Sequence, residues 1–138
     1  MLSLLHIENI AVIQSADISF DRGFNVLTGE TGAGKSIVID AISAIMGQRA
    51  YRDMIRTGAD KAVVQGIFTD VPEFRWFAEN GVDYDREVVI RRDIFLDGKN
   101  VCRVNGSLVS VAVLNKLGMQ LINIHGQRLT TRSVENLV

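Results

Sequence analysis

The segment from residue 29 to residue 36 has the sequence Gly-Glu-Thr-Gly-Ala-Gly-Lys-Ser, and it constrains this chain more than any other feature. It satisfies the phosphate-loop pattern, in which glycines permit positive φ angles and keep side chains out of the curve, so that backbone N–H groups converge on a phosphate. An apolar strand is predicted before it, over residues 24–28, and an apolar helix after it, from Lys35 to Met46. Because a chance glycine-rich turn would lack this context, the sequence predicts a nucleoside triphosphate site.

The residues of this loop have separate tasks. Lys35 can neutralise β- and γ-phosphate oxygens, and the hydroxyl of Ser36 is placed to ligate Mg²⁺. The helix that follows adds unpaired N–H donors and a partial positive charge at its start. We therefore predict catalysis by Lys35, a metal ligand at Ser36, and nucleotide binding by Gly29, Glu30, Thr31, Gly32, Ala33, Gly34, Lys35 and Ser36.

Length and composition describe one globular domain. The chain has 138 residues, 47% of them hydrophobic, with a mean hydropathy of +0.17, and this supplies enough apolar material for a core. Its net charge of −1 creates no overall field for nucleic acid or membranes. The longest uncharged stretch, residues 104–115, is too short and polar to cross a bilayer. The N-terminus lacks an export signal, and the single cysteine, Cys102, excludes an internal disulfide, so we expect a cytoplasmic protein.

Periodicity predicts mixed secondary structure in the first half of the chain. Residues 2–7 and 13–20 are expected to form paired strands, and residues 62–69 another strand. The helix from Lys35 to Met46 is apolar at almost every position, so it should be covered on nearly all sides, and Gly47 should end it.

Three strands and a helix are predicted in the second half. Asp97-Gly98 and Asn105-Gly106 are hairpin signals, and they divide residues 87–109 into an antiparallel meander. Ser110 is expected to cap a helix that Gly118 would stop. Residues 119–124 are then predicted to form an apolar strand that leads to His125-Gly126-Gln127.

The sequence contains only part of a hydrolytic site. An ATPase of this class also needs an acidic residue at the end of an apolar strand and a group that orients the attacking water. Asp70 follows a run that Thr69 interrupts, and Asp97 is better explained by a hairpin turn. A Leu-Ser-Gly-Gly segment is also absent from the sequence.

Several segments, in this order, resemble the N-terminal head lobe of the RecN family of bacterial DNA repair proteins, which are SMC-like ABC ATPases. The resemblance covers residues 1–127, and residues 128–138 match the family's continuation into a coiled coil poorly, so we expect a truncated tail there. The matching segments are Leu4 to Ile13, Leu27 to Ser36, Ile90-Arg91-Arg92, Arg103-Val104-Asn105-Gly106, and Ile124-His125-Gly126-Gln127.

The resemblance implies an α/β P-loop NTPase fold, an ABC- or SMC-type head lobe with an antiparallel β subdomain and a mainly parallel core sheet. It implies ATP and Mg²⁺ as ligands, and it implies that Gln127 completes the magnesium site and acts in catalysis; a solvated glutamine is the alternative. The implied partners are a C-terminal head lobe with the signature and Walker B motifs, a second head, and DNA. The implied location is cytoplasmic and nucleoid-associated.

Other polar residues have weaker functional interpretations. Arg49, Arg52 and Arg56 could contact DNA or nucleotide across a head dimer, or form a solvated connection. We expect Arg91, Arg92 and Arg103 to be exposed partners of nearby aspartates. Asn9 at a strand end is typical of a turn, and neither His6 nor His125 has metal-ligand companions.

The function that these observations favour is that of an ATP- and Mg²⁺-binding lobe of a RecN-like ATPase in DNA double-strand break repair, incomplete for hydrolysis alone. Two alternatives remain. One is a non-catalytic remnant that binds nucleotide or a partner, and the other is a small self-contained P-loop kinase or NTPase.

Overall fold

The computed structural model describes residues 1–20 and 32–123, with side chains from residue 36 onward in the second range. Its strands are β1 (Leu2–Ile10), β2 (Ile13–Ser19), β3 (Lys61–Phe68), β4 (Val88–Phe95), β5 (Asn100–Val104) and β6 (Ser107–Val109). Its helices are α1 (Gly32–Ile45), α2 (Arg75–Glu79) and α3 (Val111–Asn123), with a 3-10 turn at Arg52–Met54.

The six strands form one sheet in the order β2-β1-β3-β4-β5-β6. All neighbouring pairs are antiparallel, which confirms the predicted N-terminal strand pair and the predicted meander. The described sheet is thus the antiparallel part of the predicted fold. The strand predicted over residues 24–28 lies outside the described residues.

One face of this sheet forms the core. In β4 the side chains alternate strictly, with Val88, Ile90, Arg92 and Ile94 buried and their neighbours half-exposed. Helix α1 packs against β1, β3 and β4, and α3 packs against β5. Because strand side chains have a period of two, this alternation directs every second residue of β4 toward the helices.

Helix α1 ends in a Schellman motif at Gly47. The N–H of Gln48 donates to the carbonyl of Ser43 at 3.1 Å, and the N–H of Gly47 donates to that of Ala44 at 3.1 Å. Gly47 has φ +83°, a left-handed conformation that costs a residue without Cβ little. The prediction that Gly47 ends this helix is confirmed, and residues 41, 42 and 44–46 are all buried, as expected of a core helix.

The prediction for α3 is partly wrong. Ser110 caps the helix, since its Oγ accepts a hydrogen bond from the N–H of Val113 at 3.1 Å. Gly118 does not stop it, however, and residues 119–123 continue the helix instead of forming a strand. The buried positions recur at spacings of three and four residues, which is the pattern of a single amphipathic helix: Leu114, Leu117, Gly118, Leu121 and Ile122.

Gly118 has a packing role that explains its place inside a helix. A Cβ at this position would lie closer than 3.0 Å to the carbonyl oxygen of Met46, at the end of α1. A Cβ at Gly47 would similarly meet the backbone of Asn115. The two glycines therefore allow the end of α1 and the middle of α3 to touch through their backbones.

We predict that Gly118→Ala destabilises the fold although alanine is the better helix former. The new methyl group would meet backbone rather than a flexible side chain, and such overpacking costs about 1–3 kcal/mol. Urea unfolding measures the change in the free energy of unfolding. Met119→Ala, at the next and exposed position of α3, is the matched control and should stay within about 0.5 kcal/mol of the parent; an unchanged or raised stability for Gly118→Ala would contradict the packing argument.

Candidate phosphate site at the start of helix α1

The second half of the glycine-rich segment, residues 32–36, lies in the first turns of helix α1. The helix starts at Gly32, three residues before the predicted start at Lys35. The first N–H groups of a helix have no partner within it, so in the described part of the motif these donors are the N–H groups of residues 32–34. The first turn carries no acidic side chain that would oppose an anion. Gly29, Glu30 and Thr31 lie outside the described residues, as does Gln127.

The next turn of α1 is open to a ligand on one side only. Ser36 is exposed, as is Asp40 one turn later, whereas Val38 is buried at 3% of its accessible surface. The hydroxyl that the sequence assigns to Mg²⁺ is thus accessible. The apolar side of the same helix is fixed in the core.

The opposite end of α1 is held by a buried arginine. Nη1 of Arg92 donates to the carbonyl of Ala44 at 2.7 Å and to that of Gln48 at 2.6 Å, and Nε donates to Oδ1 of Asn100 at 3.0 Å. On the α3 side, Nδ2 of Asn115 donates to the carbonyl of Gly47 at 3.2 Å. The last carbonyls of α1 are therefore bound from both the sheet and α3.

Arg92 is a correction to the sequence analysis. It was expected to be an exposed partner of aspartate, but only 2% of its surface is accessible. Burial lowers the pKa of its guanidinium, and burial raises the pKa of the Cys102 thiol, which faces it across β4 and β5. A positive charge near the negative end of a helix dipole is favourable, which helps to offset the cost of burying it.

The other two arginines of the meander lie on the opposite face of the sheet. Arg91 is the predicted aspartate partner, because its Nε donates to Oδ1 of Asp93 at 2.8 Å. Burial alone would raise the pKa of Asp93, but the hydrogen bonds from Arg91 and Lys61 bring it below its ordinary value. Arg103 is exposed and lies opposite Arg91 in the strand register.

The aspartates considered as metal ligands are surface residues. Asp97 forms the β4–β5 turn, where its carboxylate accepts from the N–H of Lys99 at 2.9 Å, so the turn interpretation is confirmed. Asp70 has φ +55° and pairs with Arg86 at 2.9 Å, with both side chains more than three-quarters exposed. In residues 1–20 and 32–123, no cluster of histidine, cysteine and acidic residues could hold a metal ion.

The segment after α1 that carries the three candidate arginines contacts the β1–β2 turn at Met54 and Arg56. Arg49 and Arg52 are exposed, and the guanidinium of Arg49 lies 5.2 Å from the ring centre of exposed Tyr51. The N–H of Arg56 donates to the carbonyl of Asn9 at 2.8 Å. Asn9 has φ +55°, which agrees with its interpretation as a turn residue. The structure thus leaves two of the three arginines accessible to a ligand.

Sequence reasoning missed the contacts that Arg92, Asn115 and Gly118 make with the end of α1. The signal for Arg92 was available, since it falls between the apolar positions Ile90 and Ile94 on one face of a strand. The signal for Asn115 was not, because only the fold brings it to Gly47.

The fold is that of an α/β P-loop NTPase lobe, in which a core helix that begins at Gly32 packs against an antiparallel sheet. Comparison with known proteins agrees. Residues 4–130 match the AAA domain family model, and the chain belongs to that family. DNA repair protein RecN of Bacillus subtilis is 50% identical over 131 residues, which cover 92% of this chain and 23% of that protein. The chain thus spans about a quarter of this curated relative, and the family resemblance seen in the sequence is confirmed.

Solved structures show the same architecture. The Smc head domain with a coiled coil and joint from Pyrococcus yayanosii matches with a TM-score of 0.70 at 25% identity, over 94% of this chain and 27% of that one. An SMC ATPase structure, described in terms of ATP-driven dimerization and DNA-stimulated activation, matches with a TM-score of 0.66 at 25% identity, over 86% of this chain and 79% of that one. The fold is therefore that of the N-terminal lobe of an SMC-type head. None of the helices in the described part is long and apolar enough to cross a membrane.

The ion pairs of His6 should make the stability of the fold depend on pH. Its Nδ1 lies 2.6 Å from Oδ1 of Asp17 and its Nε2 lies 2.9 Å from Oε2 of Glu8, contacts that suit an imidazolium with two donors. The hydrogen bonds to Asp17 and then Glu8 raise the pKa of His6 above its ordinary 6.5. This contribution to stability is full below the unfolded pKa and is lost as the pH rises through the folded one.

In urea unfolding, the parent should be more stable below pH 6.5 than about two pH units higher, because the imidazolium bridge is lost as His6 deprotonates. His6→Gln should reduce this difference in the free energy of unfolding. Both proteins share all other titrating groups, so the difference between them isolates the imidazole. Identical pH profiles for the two proteins would contradict the bridge.

Proposed function

We propose that this chain is the ATP- and Mg²⁺-binding lobe of a RecN-like, SMC-type ATPase that acts in DNA double-strand break repair. The observation that carries the proposal is the start of α1 at Gly32 within the Gly29–Ser36 motif. The resemblance to DNA repair protein RecN supports the biological assignment.

The donor set suits a polyphosphate. The unpaired N–H groups of residues 32–34 and the positive end of the helix dipole lie together at the start of α1. Lys35 adds a flexible positive charge that can follow the β and γ phosphates. Together these groups would bind the phosphate chain and leave the base to other contacts.

The accessible hydroxyl of Ser36 fits magnesium, a hard cation that prefers oxygen ligands and retains several waters. We propose that Ser36 supplies one ligand and that the side-chain oxygen of Gln127 supplies another, which would also let Gln127 sense the γ phosphate. When bound, Mg²⁺ neutralises charge that develops on the phosphate oxygens. Residues 1–127 constitute this lobe in our proposal.

The proposed lobe binds ATP but turns it over poorly by itself. Asp70 and Asp97 are engaged at surface turns, so neither is available as the acidic residue of a Walker B strand. The signature motif and the water-activating carboxylate would come from a C-terminal head lobe. Two such heads would hold ATP between them and couple its state to DNA engagement. The SMC relative described by ATP-driven dimerization and DNA-stimulated activation supports this scheme.

Two other functions would give different results in a phosphate-release experiment. A self-contained kinase or NTPase would transfer or release phosphate without added protein. A non-catalytic remnant would bind nucleotide but gain no turnover from a C-terminal lobe. Phosphate release by this chain, alone and with a RecN-type C-terminal lobe, distinguishes all three.

We predict that Lys35→Ala weakens binding of a fluorescent ATP analogue with Mg²⁺ by at least about tenfold, because the charge that neutralises the phosphates is lost. Equilibrium fluorescence anisotropy measures the affinity, and phosphate release is followed in the same samples. Lys99→Ala, which removes an exposed lysine in the β4–β5 turn, is the control and should bind like the parent. Equal affinity of Lys35→Ala and the parent, or rapid release by the chain alone, would contradict the proposal.

A further inference from the structure

We propose that Arg92 is a positioning residue for the phosphate loop: by holding the last turn of α1, it fixes the place and direction of the first turn. The inference rests on the proposed function, in which that first turn binds phosphate. It assigns to a buried arginine, remote from the loop in the sequence, a role in nucleotide affinity.

The geometry gives Arg92 control over how far α1 slides along its axis. One guanidinium nitrogen bridges the carbonyl of Ala44, in the last turn, and the carbonyl of Gln48, just beyond it, at 2.7 and 2.6 Å. The Nε atom is fixed by Oδ1 of Asn100 at 3.0 Å, which ties the same side chain to β5. Because the guanidinium is planar and rigid, its three hydrogen bonds fix the positions of Ala44, Gln48 and Asn100 relative to one another.

These contacts are not needed merely to end the helix. The Schellman motif at Gly47 already supplies donors to Ser43 and Ala44. A buried charge costs free energy by desolvation, and an apolar side chain of similar volume often stabilises a core equally well. What an apolar side chain cannot do is hold one carbonyl in the last turn of α1 and another just beyond it at a set distance from β4 and β5.

Helix α1 transmits a displacement from one end to the other. Its 14 residues span about 21 Å at 1.5 Å per residue. Ile45 contacts the sheet where β3 has Gly66, at which a Cβ would lie closer than 3.0 Å to the Ile45 side chain. Such tight packing couples the two ends of the helix, so loss of the contacts at its last turn loosens α1 against the sheet along its length. The effect therefore reaches Lys35 and Ser36, where a donor displaced from a phosphate oxygen loses a charge-assisted hydrogen bond.

The test compares three variants of this chain. Arg92→Met keeps much of the volume but removes all three hydrogen bonds, and Arg92→Lys keeps the charge without the planar bridge. Phe77→Leu is the matched control, since Phe77 is also buried and its ring makes edge-to-face contacts with the rings of Trp76 and Tyr84. Affinity for Mg²⁺–ATP is measured at a temperature where circular dichroism shows each variant folded, together with amide hydrogen exchange of residues 36–40 without nucleotide.

We expect Arg92→Met to weaken ATP binding by about tenfold or more, the effect of losing one hydrogen bond to a charged group. Arg92→Lys should fall between it and the parent, and Phe77→Leu should bind like the parent even if it melts earlier. Exchange at residues 36–40 should rise in Arg92→Met and stay unchanged in Phe77→Leu. Equal ATP affinity in Arg92→Met and the parent, or equal weakening in Phe77→Leu, would overturn the inference. If Arg92→Met does not fold, Arg92→Lys decides by the same criteria.

The exchange measurement separates this inference from the proposed function. If the parent shows no binding that depends on Lys35, the proposed function fails. Faster exchange at residues 36–40 in the Arg92 variant would then still support transmission along α1, and unchanged exchange would overturn it.

Discussion

The described structure depends on which partners bind the hydrogen-bonding groups at the two ends of helix α1. A helix leaves N–H groups unpaired at its start and carbonyl groups unpaired at its end. At the carbonyl end of α1, the Schellman motif at Gly47 binds the carbonyls of Ser43 and Ala44, Arg92 binds Ala44 from the sheet, and Asn115 binds Gly47 from α3. The N–H end begins inside the glycine-rich motif, where helix geometry leaves its first N–H groups without partners in the helix. In the function we propose, this asymmetry lets a core helix bind phosphate at its start.

Small residues make that arrangement possible. Gly66 in the middle of the sheet admits Ile45, and Gly118 in α3 admits the carbonyl of Met46, so α1 lies in close contact with both layers. Close packing has little tolerance for added volume, and it makes each layer sensitive to the others. The charged face of the sheet, with His6 and Asp93 at the centres of its networks, lies on the other side and is independent of this packing.

The sequence predicted the elements whose signals are local, and it failed where the fold decides. Asp97-Gly98, Asn105-Gly106 and Gly47 were recognised because turn chemistry needs positive φ, which all three glycines adopt. Gly118 was misassigned because a helix stop and a site of close helix contact have the same sequence signature. Arg92 was misplaced because charge normally indicates exposure, whereas hydrogen bonds to Ala44, Gln48 and Asn100 offset its burial. The phosphate-loop motif was evident from the sequence, but the hydrogen bonds at the far end of the 14-residue helix α1 required the structure.

The most direct test of this account is an amide chemical-shift map of the chain titrated with Mg²⁺–ATP. If α1 presents its free donors to phosphate, the largest shifts fall on residues 29–36, with smaller ones along α1 toward Ala44, and the outer face of the sheet around His6 does not respond. Saturable shifts that centre on the sheet face or on the arginines at 49–56, with the amides of 32–36 unchanged, would contradict it.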